Sequence, residues 1–260
     1  MNLKVNQGKL LFRAALVIPT LGACLFLRDQ TVGLALREIA WGIAPIHILW
    51  GLLVIEMVIV PFPALNSFVS CGKLFKRHYI PNPSTPIREK LVKYNQQMNR
   101  AAGIVLIIWL ACIIVLGVLI HTGTIGHVEI VMTTLALYLG DQICVNLWCP
   151  LQTLIMGNKC CNTCRIYNWW HLMVFSPLVY FLNPYTAVLL GISLFILLQW
   201  EFMHLRHPER FSEITNLSLR CSCCRDKICF MKRKLKAGIP WPASPPEASP
   251  ERQSGHKMKA

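Results

Sequence analysis

Six runs of mostly apolar residues divide the chain: 10–27, 39–61, 101–120, 128–148, 169–182 and 185–203. A transmembrane helix takes about 20 such residues, so the pattern predicts an all-α, polytopic membrane bundle of about six helices. The run 101–120 carries no charged residue and is the clearest. The others are interrupted: Arg13 in the first, Pro45, His47 and Glu56 in the second, and Asp141, Gln142 and Asn146 in the fourth. The fifth is short and holds Pro177. Asn183-Pro184 is a turn signal that separates the last two runs, and two full spans are preferred over one re-entrant hairpin. Ahead of the third run, Pro86-Ile87-Arg88-Glu89-Lys90 reads as a helix start with proline in the first turn. That helix continues through Asn95-Gln96-Gln97 into the span.

Charge assigns an orientation. The net charge is +14 in a chain that is 54% hydrophobic and only 15% charged. A soluble domain carries about 25% charged residues, a disordered chain is poor in apolar ones, and a small secreted disulfide scaffold is shorter and more polar. Short cytoplasmic loops collect Lys and Arg. With the N-terminus inside, every Lys and Arg except Arg28 and Arg37 falls on the cytoplasmic side. The expectation is that both termini are cytoplasmic and that the protein is integral to the cell or plasma membrane. The basic residues flank helix ends and face anionic headgroups, which argues against a nucleic-acid partner. The bilayer is the expected partner, with a redox or other membrane protein beside it.

Three regions follow. Residues 1–203 form the six-helix domain with cytoplasmic loops 62–100 and 149–168. Residues 204–236 are basic and cysteine-rich. Residues 237–260 have a Pro- and Ser-rich composition that cannot form a core. An uncleaved first helix is preferred over a cleaved leader, although Leu21-Gly22-Ala23-Cys24 loosely resembles a lipobox. The sequon Asn216-Leu217-Ser218 lies on the expected cytoplasmic side, where it is silent.

The 12 cysteines fall into groups. Cys160, Cys161 and Cys164 lie in the loop after the fourth span, and Cys221, Cys223, Cys224 and Cys229 lie in the tail. Each group contains a Cys-x2-Cys pair, Cys161/Cys164 and Cys221/Cys224. Both groups are expected on one membrane face, at the two ends of a helical hairpin. Two such pairs supply the four thiolates of tetrahedral zinc or of an iron–sulfur cluster, and the spacing does not choose between them. The reducing side disfavours stable disulfides. Lys159, Arg165, Arg225 and Lys227 adjoin the sulfurs and favour thiolates. The competing readings are palmitoylation, redox thiols without metal, and structural zinc. Cys24, Cys71, Cys112, Cys144 and Cys149 read as small core residues.

Ionisable groups inside a membrane are costly and usually functional. Arg13, Glu56, Asp141 and His171 all fall in the cytoplasmic halves of their spans. Glu56 and Asp141 are candidates to share a proton or pair with Arg13, along a proton or ion path. The plainer reading has Arg13 and His171 snorkel to the interface. His47 and His121, toward the outer side, form a weaker candidate pair of axial ligands for a b-type haem. No P-loop, nucleophile elbow, Rossmann fingerprint or His-Glu-x-x-His helix is present. The leading expectation is a membrane electron-transfer component, or its assembly factor, with a cytosolic cysteine-ligated metal. The alternatives are a metal or ion permease built on Glu56 and Asp141, and a non-enzymatic membrane protein.

Overall fold

The computed structural model describes residues 3–39, 42–62, 73–83, 87–158 and 161–220. Among these residues there is no strand, only an isolated bridge between Pro81 and Asn216. The chain is all-α, in the order α1 (Leu3–Phe26), α2 (Arg28–Leu36), α3 (Pro45–Ile59), α4 (Ile87–His121), α5 (His127–Asn146), α6 (Trp170–Phe175) and α7 (Pro184–Arg206). Short turns fill the gaps, including a π-helical turn at Leu151–Ile155 and 3-10 turns at Tyr167–Trp169 and Ser176–Tyr180.

Local chemistry sets the boundaries. α4 begins at Ile87 and runs unbroken for 35 residues, because no proline interrupts its ladder. α7 begins at Pro184, where the Asn183 side chain accepts hydrogen bonds from the backbone N–H groups of Tyr185 and Thr186. That is an N-cap satisfying donors with no partner inside the helix. Between α4 and α5 the chain turns through Gly123, whose φ of 73° is cheap only without a Cβ.

Three helices are long and apolar enough to cross a membrane: Glu89–His121 within α4, His127–Asn146 and Pro184–Arg206. The apolar helices Leu10–Phe26 and Pro45–Ile59 are shorter. The fifth apolar run breaks into α6 and the Ser176–Tyr180 turn, because Pro177 cannot donate to an α-helical ladder. Contacts nevertheless carry it from one end of α7 to the other. Trp169 donates to Glu201 near the C-terminus of α7, and Phe181 packs against His127 at the start of α5.

The contacts also fix helix directions. Arg13 of α1 meets Asp141 of α5, while Arg28 meets Glu129 one helix length away. α1 and α5 are therefore antiparallel. Glu56 of α3 meets Arg13, and Trp50 donates to the Tyr185 carbonyl at the start of α7, so α3 and α7 run with α5. Asn99 of α4 bonds Arg165 at the opposite end from Tyr185, which sets α4 with α1.

The central core joins Val17, Met57, Ile130, Leu135, Tyr138, Val174, Phe175, Leu178, Leu189 and Ile196. A second cluster packs α4 residues Met98, Ala102 and Val105 against Met156, Cys164, Ile166 and Met173. Outward faces stay apolar. On α7, Leu194, Phe195, Leu198, Phe202 and Leu205 are 46–76% exposed along one helical stripe. A contiguous apolar face of this kind suits lipid rather than water.

Candidate functional site

The structure brings Arg13, Glu56 and Asp141 together from three different helices. The Arg13 guanidinium donates to Glu56 Oε1 at 2.7 Å, to Asp141 Oδ2 at 2.8 Å and to the Tyr138 carbonyl at 3.0 Å. Its Cζ lies 3.8 Å from the centre of the Tyr138 ring, a cation–π contact. The Tyr138 hydroxyl donates to the other Glu56 oxygen, Oε2, at 2.8 Å. Arg13 is 6% exposed, so its charge is held by these partners and does not snorkel. A fork of five donors is what lets one arginine serve two carboxylates and a carbonyl.

A cavity of about 20 Å³ adjoins this group, lined by Arg13, Glu56, Tyr138, Asp141, Trp170 and His171 among others. A cavity needs about 10–15 Å³ to hold one water, so the room is that of one water or one small ion. His171 thus shares the cavity with the other three predicted ionisable residues. With Arg13, Glu56 and Asp141 ionised, the group carries one net negative charge.

A second polar centre lies toward the C-terminal end of α7. Arg165 donates through both terminal nitrogens to the two oxygens of Glu201, and through Nε to Asn99 Oδ1 at 3.1 Å. The Trp169 indole N–H also reaches Glu201, and the Trp200 indole N–H donates to the Arg165 carbonyl at 2.7 Å. The Lys73 ammonium, 2% exposed, donates to the Cys164 carbonyl at 3.1 Å. Glu201 escaped the sequence reading. The signal was there, a lone carboxylate inside the last apolar run, and Arg165 was its partner. Trp169 is thus an internal donor.

This centre corrects one expectation about the cysteines. Arg165 is committed to Glu201 rather than to sulfur. Burial pushes the Cys164 thiol up to about 11, against a smaller opposing pull from the Lys73 charge. Cys164 is therefore held as a neutral thiol, because desolvation outweighs the neighbouring cation. Cys160, Cys221, Cys223, Cys224 and Cys229 lie outside the described residues, as does the side chain of Cys161. Cys71 and the tail 221–260 lie outside them too. Among the described residues no group of three or more His, Cys, Asp and Glu side chains is placed to hold a metal ion.

The two haem candidates have different surroundings. His47 accepts the Ala44 backbone N–H through Nδ1 at 3.0 Å and packs on Tyr185, which makes it part of a helix start. His121 is exposed at the end of α4. α3 packs mainly on α2 and α7, and α4 on the Leu151–Ile155 and Ser176–Tyr180 turns.

No family model, curated protein or solved structure was found to match this chain.

Proposed function

We propose that this chain is a multi-pass membrane protein that moves a proton or small cation, with Arg13, Glu56, Tyr138 and Asp141 as its transport site. The observation that carries this reading is the pair of carboxylates sharing one buried guanidinium beside a water-sized cavity. In a membrane interior such groups are expensive unless used or paired. Here the pairing leaves one carboxylate charge over, which a proton or cation neutralises. Arg13 keeps the two carboxylates from repelling each other, and Tyr138 offers a hydroxyl that can relay a proton to Glu56.

The proposed topology has six segments, with N- and C-termini in the cytoplasm. Three observations support it: the alternating helix directions, the passage of residues 169–181 along the bundle, and the gathering of Lys73, Arg165 and Arg210 at one end. Arg13 lies within the apolar stretch Leu10–Phe26 of α1, and its charge is satisfied inside the bundle.

Reconstitution into liposomes with an imposed pH gradient tests the reading. Wild-type protein is expected to carry flux, and Glu56→Gln and Asp141→Asn are each expected to abolish it while folding normally. Variants that transport like wild type, or wild type that carries no flux, would overturn it.

A second reading keeps the cysteines as a cytosolic metal site in a redox protein. It is supported by the anchoring of the Cys164 loop and the chain approaching Cys221 on the same end of α7, through Trp200 contacts to Arg165 and Phe211. Anaerobic purification with metal analysis and visible absorption tests it, and a colourless protein free of iron and zinc removes it.

A further inference from the structure

We infer that the cavity beside Arg13 is a site for one ordered water, held by the Trp170 indole N–H and the carboxylates, and that the transported species is a proton and not a metal cation. This rests on the transport reading above and narrows its substrate. Trp170 opens α6 and lines the cavity together with Arg13, Glu56, Tyr138 and Asp141. Its ring also packs against both core clusters. The indole nitrogen is buried and has no hydrogen-bond partner among the described residues. A buried donor without an acceptor is costly. Neighbouring Trp169 avoids that cost by bonding Glu201. For Trp170 the acceptor belongs in the cavity it lines, whose volume of about 20 Å³ exceeds the roughly 10–15 Å³ that one water requires.

The occupant has to accept from an N–H, which a water does and a bare metal ion does not. A buried water also takes about two to four polar partners. The indole supplies a donor, and Glu56 and Asp141 on the same wall supply acceptors. The carboxylates argue against a metal in a second way. Glu56 Oε1 and Asp141 Oδ2 already accept from Arg13, and Glu56 Oε2 accepts from Tyr138. A hard cation such as calcium takes about 6–8 oxygen ligands, and here it would lie against a guanidinium of like charge. A proton needs one lone pair. In the transfer step the water takes a proton from the entry side and passes one of its own to Asp141. The water keeps two O–H bonds, the carboxylate becomes a neutral acid, and the site's one negative charge is neutralised. Trp170 is a positioning residue in this step, because it holds the water and neither gives nor takes the proton.

The test labels tryptophan nitrogen and carbonyl carbon in the full-length protein and records magnetic resonance spectra in detergent. Trp170 is the one tryptophan preceded by another, so its signals are identified without a variant. Its indole proton is expected to show a through-space contact to a long-lived water. Liposomes holding wild type are then given equal driving forces, either for protons or for sodium without a pH gradient, and proton flux is expected to dominate. Trp170→Phe keeps an apolar ring but removes the N–H, and should lower proton flux about tenfold or more through a misplaced relay water. Absence of the water contact in wild type overturns the inference even if protons flow, and so does sodium flux equal to proton flux. The contact without flux of either ion supports the water and overturns the transport reading, which tells the two failures apart. These decisive readouts use unaltered protein, so a variant that misfolds does not rescue the idea.

Discussion

Arg13 shows what a single residue does in this bundle. Its guanidinium bonds both Glu56 and Asp141. Removing one partner from a buried ionic group leaves an uncompensated charge, at a cost of about 3–5 kcal/mol. Arg13→Ala is therefore expected to destabilise the protein by about that amount in a denaturant titration in micelles. Combining it with Glu56→Gln and Asp141→Asn should restore part of the loss, since no charge is then left unpaired. Two cysteines give a pH test. A thiol alkylates only as its thiolate, so labelling rises as pH passes the thiol's own pKa. Cys149, pulled down to about 7 first by the Cys144 hydrogen bond, should label half-maximally near neutrality. Cys164, pushed up to about 11 by burial, should stay unlabelled until strongly alkaline pH. Quantitative alkylation across a pH series reads both.

At the scale of elements, close approach between helical segments decides the packing. Lipid removes the hydrophobic drive for helix association, so small residues matter at contacts. Gly117 of α4 is such a residue. A Cβ there would fall 2.4 Å from the Tyr180 hydroxyl oxygen and 2.7 Å from the ring carbon bearing it. That hydroxyl donates to the Ile113 carbonyl at 2.9 Å, tying the Ser176–Tyr180 turn to α4. Gly117→Ala should displace the ring, break this bond and cost about 1–3 kcal/mol, the usual range for overpacking. Gly103, with open space around its Cβ position, supplies the control. Gly103→Ala should leave the denaturation midpoint unchanged or raise it slightly, because alanine favours helix.

On the scale of the whole molecule, the alternating helix directions divide the protein into two unlike ends. One end holds Arg28 with Glu129, His47 with Tyr185, and the Gly123 turn. The other holds Arg165, Lys73 and Arg210, with residues 73–83 bonded to residues 210–217. If the proposed orientation holds, a reporter fused after residue 260 works only in the cytoplasm, and one inserted at Gly123 works only on the far side. The reverse pattern in a fusion assay would reject the orientation while leaving the bundle intact.

The apolar runs and their punctuation were enough to read an all-α chain with long membrane-suited helices, the start of α4 after Pro86, and the break at Asn183-Pro184. These are local properties, set by side-chain solvation and backbone chemistry within a few residues. Charge placement likewise marked Arg13, Glu56 and Asp141 as costly wherever they ended up. Their meeting at one guanidinium was decided by tertiary packing, since it depends on how α1, α3 and α5 rotate against one another. Tyr138 was invisible for the same reason: an aromatic in an apolar run shows no partner until its neighbours are known. The state of Cys164 also belongs to the fold. Sequence placed a cation next to it, but burial and the diversion of Arg165 to Glu201 reversed the expected effect. Adjacency along a chain gives proximity without direction, and electrostatics depends on direction, distance and solvent together.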